Sequence, residues 1–423
     1  MAEMFRDEKA VASITLGDVV RQTATNYPDS RFHPQIIEQT PHYTIAGINT
    51  HQFPVWVTAD GIGTKPEFSE RMYDESIFMN NPWADAFETR AFDTMAMIES
   101  DEARFGRYMV GAANIIDMNK ASNMEVISAL ARGLKKAADS GRFAILNGET
   151  AELSYRASGY GDVHLNWNAV GLSVFNPDKL ILGKDLRPGQ PIVALREKSI
   201  RSNGLTKARA ILETDYLLRQ GLKSKSEYVA RELTSRGITL GDNDIEGLLA
   251  SIFGHDALEQ VLPPWHKDKP EVAKQFLEPS KLYGPAMYAA QGKIDEPRNV
   301  EMVAAAHISG GGVPEKARRM VESKGLGISI DAVFPDPEAV SSLLRIAETF
   351  PDEVKAKLKI DDRIACEQWN RGIGFLVVTP SMTEANRFIE LVAAEGYEAA
   401  VAGKTIDKPL IQFRGYDWHV KAA

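Results

Sequence analysis

A single cysteine, Cys366, stands among 423 residues. That excludes an intrachain disulfide, and acidic and polar neighbours mark the thiol as incidental rather than nucleophilic. The eight histidines show no metal-ligand spacing. No run approaches the ~18 apolar residues of a membrane span. Met1 to Leu16 is mixed and charged, without the basic-then-apolar pattern of a signal peptide. The expectation is a cytoplasmic protein with no membrane partner. Positive charge is also short: 49 Lys and Arg stand against 58 Asp and Glu, a net charge of −9. This argues against a nucleic-acid partner but leaves room for a local basic pocket suited to a phosphorylated small molecule. The Walker A spacing, the dinucleotide-binding glycine fingerprint and the Gly-x-Ser-x-Gly elbow are all missing. So are low-complexity segments and exact repeats.

What is present is an ordinary globular composition, 44% apolar and 25% charged, in a chain long enough for two domains. Strands are expected at Phe53–Thr58, Tyr108–Ile116, Phe143–Asn147 and Leu165–Phe175, with helices at Arg90–Ala103 and Asn119–Ser140. Ser122 and Glu125 read as a capping box for the second helix, and Gly141 as its end. Asn176–Gly189, with two prolines and two glycines, reads as a crossover. The expected domains are therefore 1–175 and 176–423. The latter carries Pro191–Leu195, Val300–Ile308 and Ile373–Val378 as strands. Residues 220–275 are uneven and charged and read as an insertion packed on the outside. Asp29–Pro41 reads as irregular. The order of elements gives an α/β (α+β) fold class.

Glycine marks the candidate chemistry. Asp60-Gly61-Ile62-Gly63-Thr64-Lys65 reads as a strand end breaking into a turn. A carboxylate there suits Mg²⁺, which takes oxygen ligands and needs only one or two protein carboxylates beside phosphates. Gly61, Gly63 and Thr64 would bring backbone amides to phosphate, and Lys65 would add a point charge. Alone, the stretch reads more readily as a tight turn. Asn147-Gly148-Glu149-Thr150-Ala151-Glu152 places two carboxylates three apart; it reads either as a metal-organising motif or as a helix start with acids on its dipole. His307 precedes Gly310, Gly311 and Gly312, an anion nest at a helix start, and is a candidate acid or base. Arg201-Ser202-Asn203-Gly204 lies between a strand and a helix, with Arg201 a candidate phosphate clamp. Asn370-Arg371-Gly372-Ile373-Gly374 leads into a strand.

In this order the motifs closely resemble aminoimidazole ribonucleotide synthetase, the phosphoribosylformylglycinamidine cyclo-ligase of purine biosynthesis. The resemblance runs from Val55 to Phe375. The family's Thr-Asp-Gly-x-Gly-Thr-Lys is similar to Thr58 through Lys65, with one extra residue. Its Gly-Gly-Glu-Thr-Ala-Glu is similar to Asn147–Glu152, its Ser-Asn-Gly to Ser202–Gly204, its Ala-His-Ile-Thr-Gly-Gly-Gly to Ala306–Gly312, and its Phe-Asn-x-Gly-x-Gly-Met to Trp369–Phe375. Asp93 and Asp101 fall where the family has an Asp-rich helix. The resemblance implies a two-domain fold whose N-terminal domain forms a dimeric β-structure, a homodimer, and ATP with Mg²⁺. It implies Asp60, Asp101 and Glu149 as metal candidates and Asp60, Asp93, Glu149 and Lys65 as phosphate-organising ones. Arg201, Ser202, Asn203 and Asn370 would lie on the substrate side, with His307, Asn203 and Lys65 nearest the chemistry. The implied reaction is ATP-dependent ring closure of formylglycinamidine ribonucleotide. Departures stand beside it. The family's glycine-rich segment before its first strand is Gln35–Asn49 here, with Gly47 alone. Arg201 replaces a family histidine, Asn147 replaces a glycine, and residues 220–275 are longer than in compact members. A kinase or synthetase of the same superfamily acting on another metabolite, or a non-catalytic nucleotide-binding homologue, fits these departures as well.

Overall fold

The computed structural model describes residues 16–39, 44–48, 53–78, 83–235 and 263–420. A short antiparallel ribbon, β1 (Gln35–Gln39) and β2 (Thr44–Gly47), precedes two larger sheets. Thus part of the stretch expected to be irregular is strand.

The first sheet holds β3 (Val55–Gly61), β4 (Tyr108–Met118), β5 (Ala144–Glu152) and β6 (Leu165–Val174), in the order β3-β6-β4-β5. β4 and β5 run parallel, joined by helix α4 (Met124–Gly141); the other pairs are antiparallel. Helices α1 (Leu16–Thr23), α3 (Arg90–Ala103) and α4 cover one face. Met95, Ile98, Leu130, Leu134, Ile116 and Trp167 are buried there, each large apolar side chain contributing about 1.5–3 kcal/mol. The cap of α4 is Asn123, not Ser122: its side chain accepts from Val126 N at 3.2 Å, while Ser122 N donates to Glu152 at 3.2 Å. Gly141 is the last helical residue, and Arg142 closes the end in a left-handed conformation, φ 59°.

Among the described residues no helix covers the other face of this sheet. Side chains alternate along a strand, so Val57 and Ala59 of β3 share this face with Val170 of β6 and Ile115 of β4. Val57 is 56% exposed, Ile115 48% and Val170 37%. A contiguous apolar row of this kind marks an interaction surface.

The second sheet comprises β7 (Pro191–Arg196), β8 (Ala304–His307), β9 (Gly327–Ile330), β10 (Ile373–Val378), β11 (Ala399–Ile406), β12 (Leu410–Phe413) and β13 (Tyr416–His419). Its order is β13-β12-β9-β11-β7-β10-β8. It is covered on both faces: Ile192, Ala194, Leu376 and Val378 enter one core, and Val193, Leu195, Phe375 and Val377 the other.

Three expectations change. β3 continues to Gly61, so Asp60 stands at its C-terminal end as expected, but β5 runs through Glu152, so the second acidic motif lies on a strand rather than after one. Helix α2 (Pro66–Phe78) was not expected at all, and it packs into the second half of the molecule, Phe68 stacking on Phe276 with ring centroids 4.1 Å apart. The end of the expected outer insertion is core: Trp265 and Ala273, with Phe276 just beyond it, are buried in one cluster with Leu212 of helix α5 (Leu205–Arg219). Lys225–Ser235 is helical, and residues 236–262 lie outside the described ones. Among the described residues no helix is long and apolar enough to cross a membrane.

Candidate functional site between the two sheets

Loops from both sheets meet at one place. The turn after β3 brings Gly63 against the loop before α5: a Cβ on Gly63 would stand 3.9 Å from the Ser202 carbonyl. The loop after β8 brings Gly310 beside the same segment, its Cβ position 3.9 Å from Asn203 Oδ1. Gly311 and Gly312 follow with φ of 89° and 63° and open the Gly312–Val321 helix. Positive φ at both positions favours glycine. At Gly312 a Cβ would also collide with the Cys366 carbonyl. Gly63, Ser202, Asn203 and Gly310 are thus brought together, with Gly311 and Gly312 next in the chain.

Charge at this site comes from Asp60, Asp101 and Lys316. Asp60 accepts a hydrogen bond from Gly61 N at 2.7 Å. Burial raises its pKa, as does the nearby Asp101 charge, against the Gly61 bond and Lys316. Burial would raise Asp101 too, but the His307 hydrogen bond and charge, with Arg104 and Lys316, carry it down to about 2. Lys316, in the helix that follows the glycine nest, has its pKa lowered by burial and by Arg319, against the attraction of Asp101. It was missed in the sequence. The signal was its position four residues after Gly312, one helical turn behind the nest.

Several expected site residues lie elsewhere. Lys65 is not at the surface. It is fully buried, its ammonium 2.5 Å from Asp93 Oδ1 and 3.0 Å from Ser199 Oγ. Asp93, also fully buried, accepts from Ser280 N at 3.1 Å and Oγ at 2.5 Å. The two pair with each other and join the halves of the molecule, and full burial withdraws both from the surface. Helix α2 starts at Pro66 and carries Lys65 inward.

Glu149 leaves the proposed metal set. In the sheet register Gly61, Asn168, Ile115 and Glu149 form one row, and Asp60, Ala169, Asn114 and Gly148 the next. Adjacent rows face opposite sides. Ile115 is exposed and Asn114 buried, so Asp60 points to the helix side and Glu149 to the other side. There Glu149 lines an open depression of about 560 Å³ with Asn147, Asn168, Val170 and Ile115, a depression that Asp60 and Gly61 also line. Among the described residues no three His, Cys, Asp or Glu side chains converge as a metal cluster.

Arg201 and Asn370 are buried supports rather than substrate contacts. Arg201 Nη1 donates to Glu197 Oε2 at 2.7 Å and to the Lys281 carbonyl at 3.0 Å. Its Nη2 donates to the Ala96 carbonyl at 3.3 Å and lies 2.6 Å from His307 Nε2. Asn370 Nδ2 donates to the Ser199 carbonyl at 2.8 Å, and its Oδ1 accepts from Gly372 N at 3.0 Å, which holds the 199–204 loop in place. His307 is 1% exposed. Its Nδ1 lies 3.0 Å from Asp101 Oδ1. Burial, then Arg201, pull its pKa down to about 4 against Asp101, so the ring is neutral at pH 7. It offers no general acid or base to this site.

The remaining donor set fits a magnesium-bound phosphate. Two adjacent carboxylates, Asp60 and Asp101, suffice where phosphate oxygens complete the shell. Ser202 Oγ is buried with no hydrogen-bond partner among the described residues, a polar atom left for a ligand.

Residues 238–415 match the family model described as AIR synthase related protein, C-terminal domain. A phosphoribosylformylglycinamidine cyclo-ligase from Thermococcus kodakarensis is 25% identical over 379 residues, 90% of this chain and 87% of that one. A protein of the same name from Bacillus cereus is 24% identical over 363 residues, 86% and 83% of the two chains. A crystal structure of thiamine-monophosphate kinase from Stenotrophomonas maltophilia superposes with a TM-score of 0.52 at 13% identity, covering 97% of this chain and 98% of that one. That likeness establishes a shared fold.

Proposed function

We propose that this chain, a divergent relative of the AIR synthase related proteins through its C-terminal domain, closes the imidazole ring of formylglycinamidine ribonucleotide at the expense of ATP. The products are aminoimidazole ribonucleotide, ADP and phosphate. The observation that carries the reading is the convergence of Gly63, Ser202, Asn203 and Gly310 on one place bearing two carboxylates and a lysine. Similarity to cyclo-ligases along 90% of the chain supports the choice of substrate.

In this reading ATP transfers its terminal phosphoryl to the formyl oxygen. The ring-closing nitrogen then attacks the activated carbon and phosphate leaves with that oxygen. Such chemistry needs positioning and charge neutralisation more than a side-chain nucleophile. Asp60 and Asp101 would hold Mg²⁺, which would neutralise phosphate oxygens when bound. The amides of Gly310 and Gly311 would donate to phosphate at a helix start, Gly312 N being taken by the Ser309 carbonyl at 3.0 Å. Lys316 supplies the cation that the sequence assigned to Lys65. Asn203 and Ser202 orient the substrate, and His307 stays behind them. The helix-free face of the first sheet suits a second copy of the chain, giving a homodimer, in keeping with a cytoplasmic biosynthetic enzyme.

The test is ADP release dependent on formylglycinamidine ribonucleotide, with imidazole formation measured in the same sample. A second reading, a kinase or synthetase acting on another small metabolite, is favoured by Arg201, which replaces the family histidine and occupies His307. Turnover of ATP only with some other metabolite would move the assignment there. Tight ATP binding without any turnover would leave a nucleotide-binding homologue.

A further inference from the structure

His307 lies between two partners that fix the position of its proton. Arg201 Nη2 is 2.6 Å from His307 Nε2, and His307 Nδ1 is 3.0 Å from Asp101 Oδ1. A guanidinium has only donors, so Nε2 must present its lone pair. The one proton of the neutral ring therefore sits on Nδ1 and is donated to the carboxylate. Both ring nitrogens are used, in a side chain closed to solvent. Arg201 is itself held from three elements: Glu197 in the loop after β7, the Lys281 carbonyl, and the Ala96 carbonyl of α3. Its backbone has φ of 60°, a conformation a non-glycine residue adopts only where its surroundings impose it.

From this geometry we infer that Arg201 is a positioning residue: through His307 it fixes the Asp101 carboxylate at the candidate site, and His307 exchanges no proton with a ligand. The chain Glu197–Arg201–His307–Asp101 begins beside the second sheet and ends on the helix covering the first. It orients a ligand-facing acid of one half from the other half. Replacing a histidine by arginine at position 201 thereby changes what His307 can do, because arginine never accepts. The effect on ligand binding rests on the nucleotide reading above; the proton position does not.

The proton position is read by ¹⁵N NMR of the full-length protein labelled at histidine, with His307→Gln identifying the signal. The expected state at pH 7 is neutral, protonated at Nδ1. An Nε2-protonated ring or an imidazolium would overturn the inference. The second arm compares His307→Gln with His307→Leu by calorimetric titration with Mg-ATP. Glutamine can accept from Arg201 with its oxygen and donate to Asp101 with its amide, yet it carries no exchangeable acid–base function near neutrality. His307→Gln should bind at least about tenfold more tightly than His307→Leu, a difference of about 1.4 kcal/mol. Equal losses in both would sink the positioning role. If the wild-type protein binds no Mg-ATP, the nucleotide reading fails, and the NMR result still decides whether His307 is locked.

Discussion

Lys65→Met tests the largest revision to the site. The lysine looks like a phosphate contact in sequence, yet its ammonium is fully buried, 2.5 Å from Asp93 and 3.0 Å from Ser199 Oγ. Removing one partner of a buried pair costs about 3–5 kcal/mol, because the other charge stays buried. Here Asp93 keeps three partners: Arg90 at 3.3 Å, Ser280 N at 3.1 Å and Ser280 Oγ at 2.5 Å. The loss therefore belongs at the low end, about 3 kcal/mol. Urea unfolding measures it directly, and Mg-ATP titration of the folded variant should give an affinity within about threefold of wild type, a difference under about 1 kcal/mol. Burial, opposed chiefly by Asp93, pulls the Lys65 pKa from 10.5 to about 8. Between those values the unfolded chain binds more protons than the folded one, so the unfolding free energy rises with pH. The Met variant lacks that rise. A variant as stable as wild type that binds Mg-ATP tenfold more weakly would refute the buried-latch assignment and return Lys65 to the phosphate.

Asp60→Asn should weaken Mg-ATP binding by more than tenfold, while Glu149→Gln, on the opposite face of the sheet, should change it less than threefold; equal losses would contradict the register (tenfold is about 1.4 kcal/mol). Val57→Glu puts a charge on the exposed apolar row, and sedimentation should then show monomer where wild type gives a dimer. Gly312→Ala forces a Cβ into the Cys366 carbonyl at a φ of 63° and should lower stability by more than the about 1 kcal/mol of an unstrained glycine change. Glu70, whose pKa burial raises from 4.5 to about 8 against bonds from Tyr160 N and Leu165 N, holds its proton in the folded state where the unfolded chain has lost it. Stability from this group is therefore full below about pH 4.5 and declines toward pH 8. Glu70→Gln should flatten that slope in pH-dependent unfolding.

Local pattern made much of the fold legible. Apolar positions at helical spacing located α3 and α4, and runs of β-formers located the strands that carry Asp60 and Asn147. Helix α2 stayed hidden because its sequence, Pro66–Phe78, alternates charge and apolar groups. Its helical face becomes apparent only once Phe68 is set against Phe276 and Trp265 from the other half. The extension of β5 through Glu152 was hidden for a related reason: asparagine, glycine and glutamate are weak strand signals, and the parallel ladder with β4 supplies the order.

The site divides along the same line. A motif records which residues are neighbours along the chain, and chemistry depends on which face they share. Asp60 and Glu149 read as one metal set because each follows an apolar strand, yet a one-residue difference in register sends them to opposite sides of the sheet. Lys65 sits five residues from Asp60 and looks like its companion, but its partner is Asp93, 28 residues on. Arg201 reads as a clamp for phosphate until its separations of 105 residues from Ala96 and 106 from His307 are closed in space. Lys316 reads as one charge among several on a helix until the glycine nest turns that helix toward Asp60 and Asp101. In each case the residue type was visible in the sequence and its direction was not, because direction is set by strand parity and by contacts across the two halves. The proposed cation is therefore Lys316 rather than Lys65, and the proposed acid Asp101, oriented through a histidine whose lone pair is already taken.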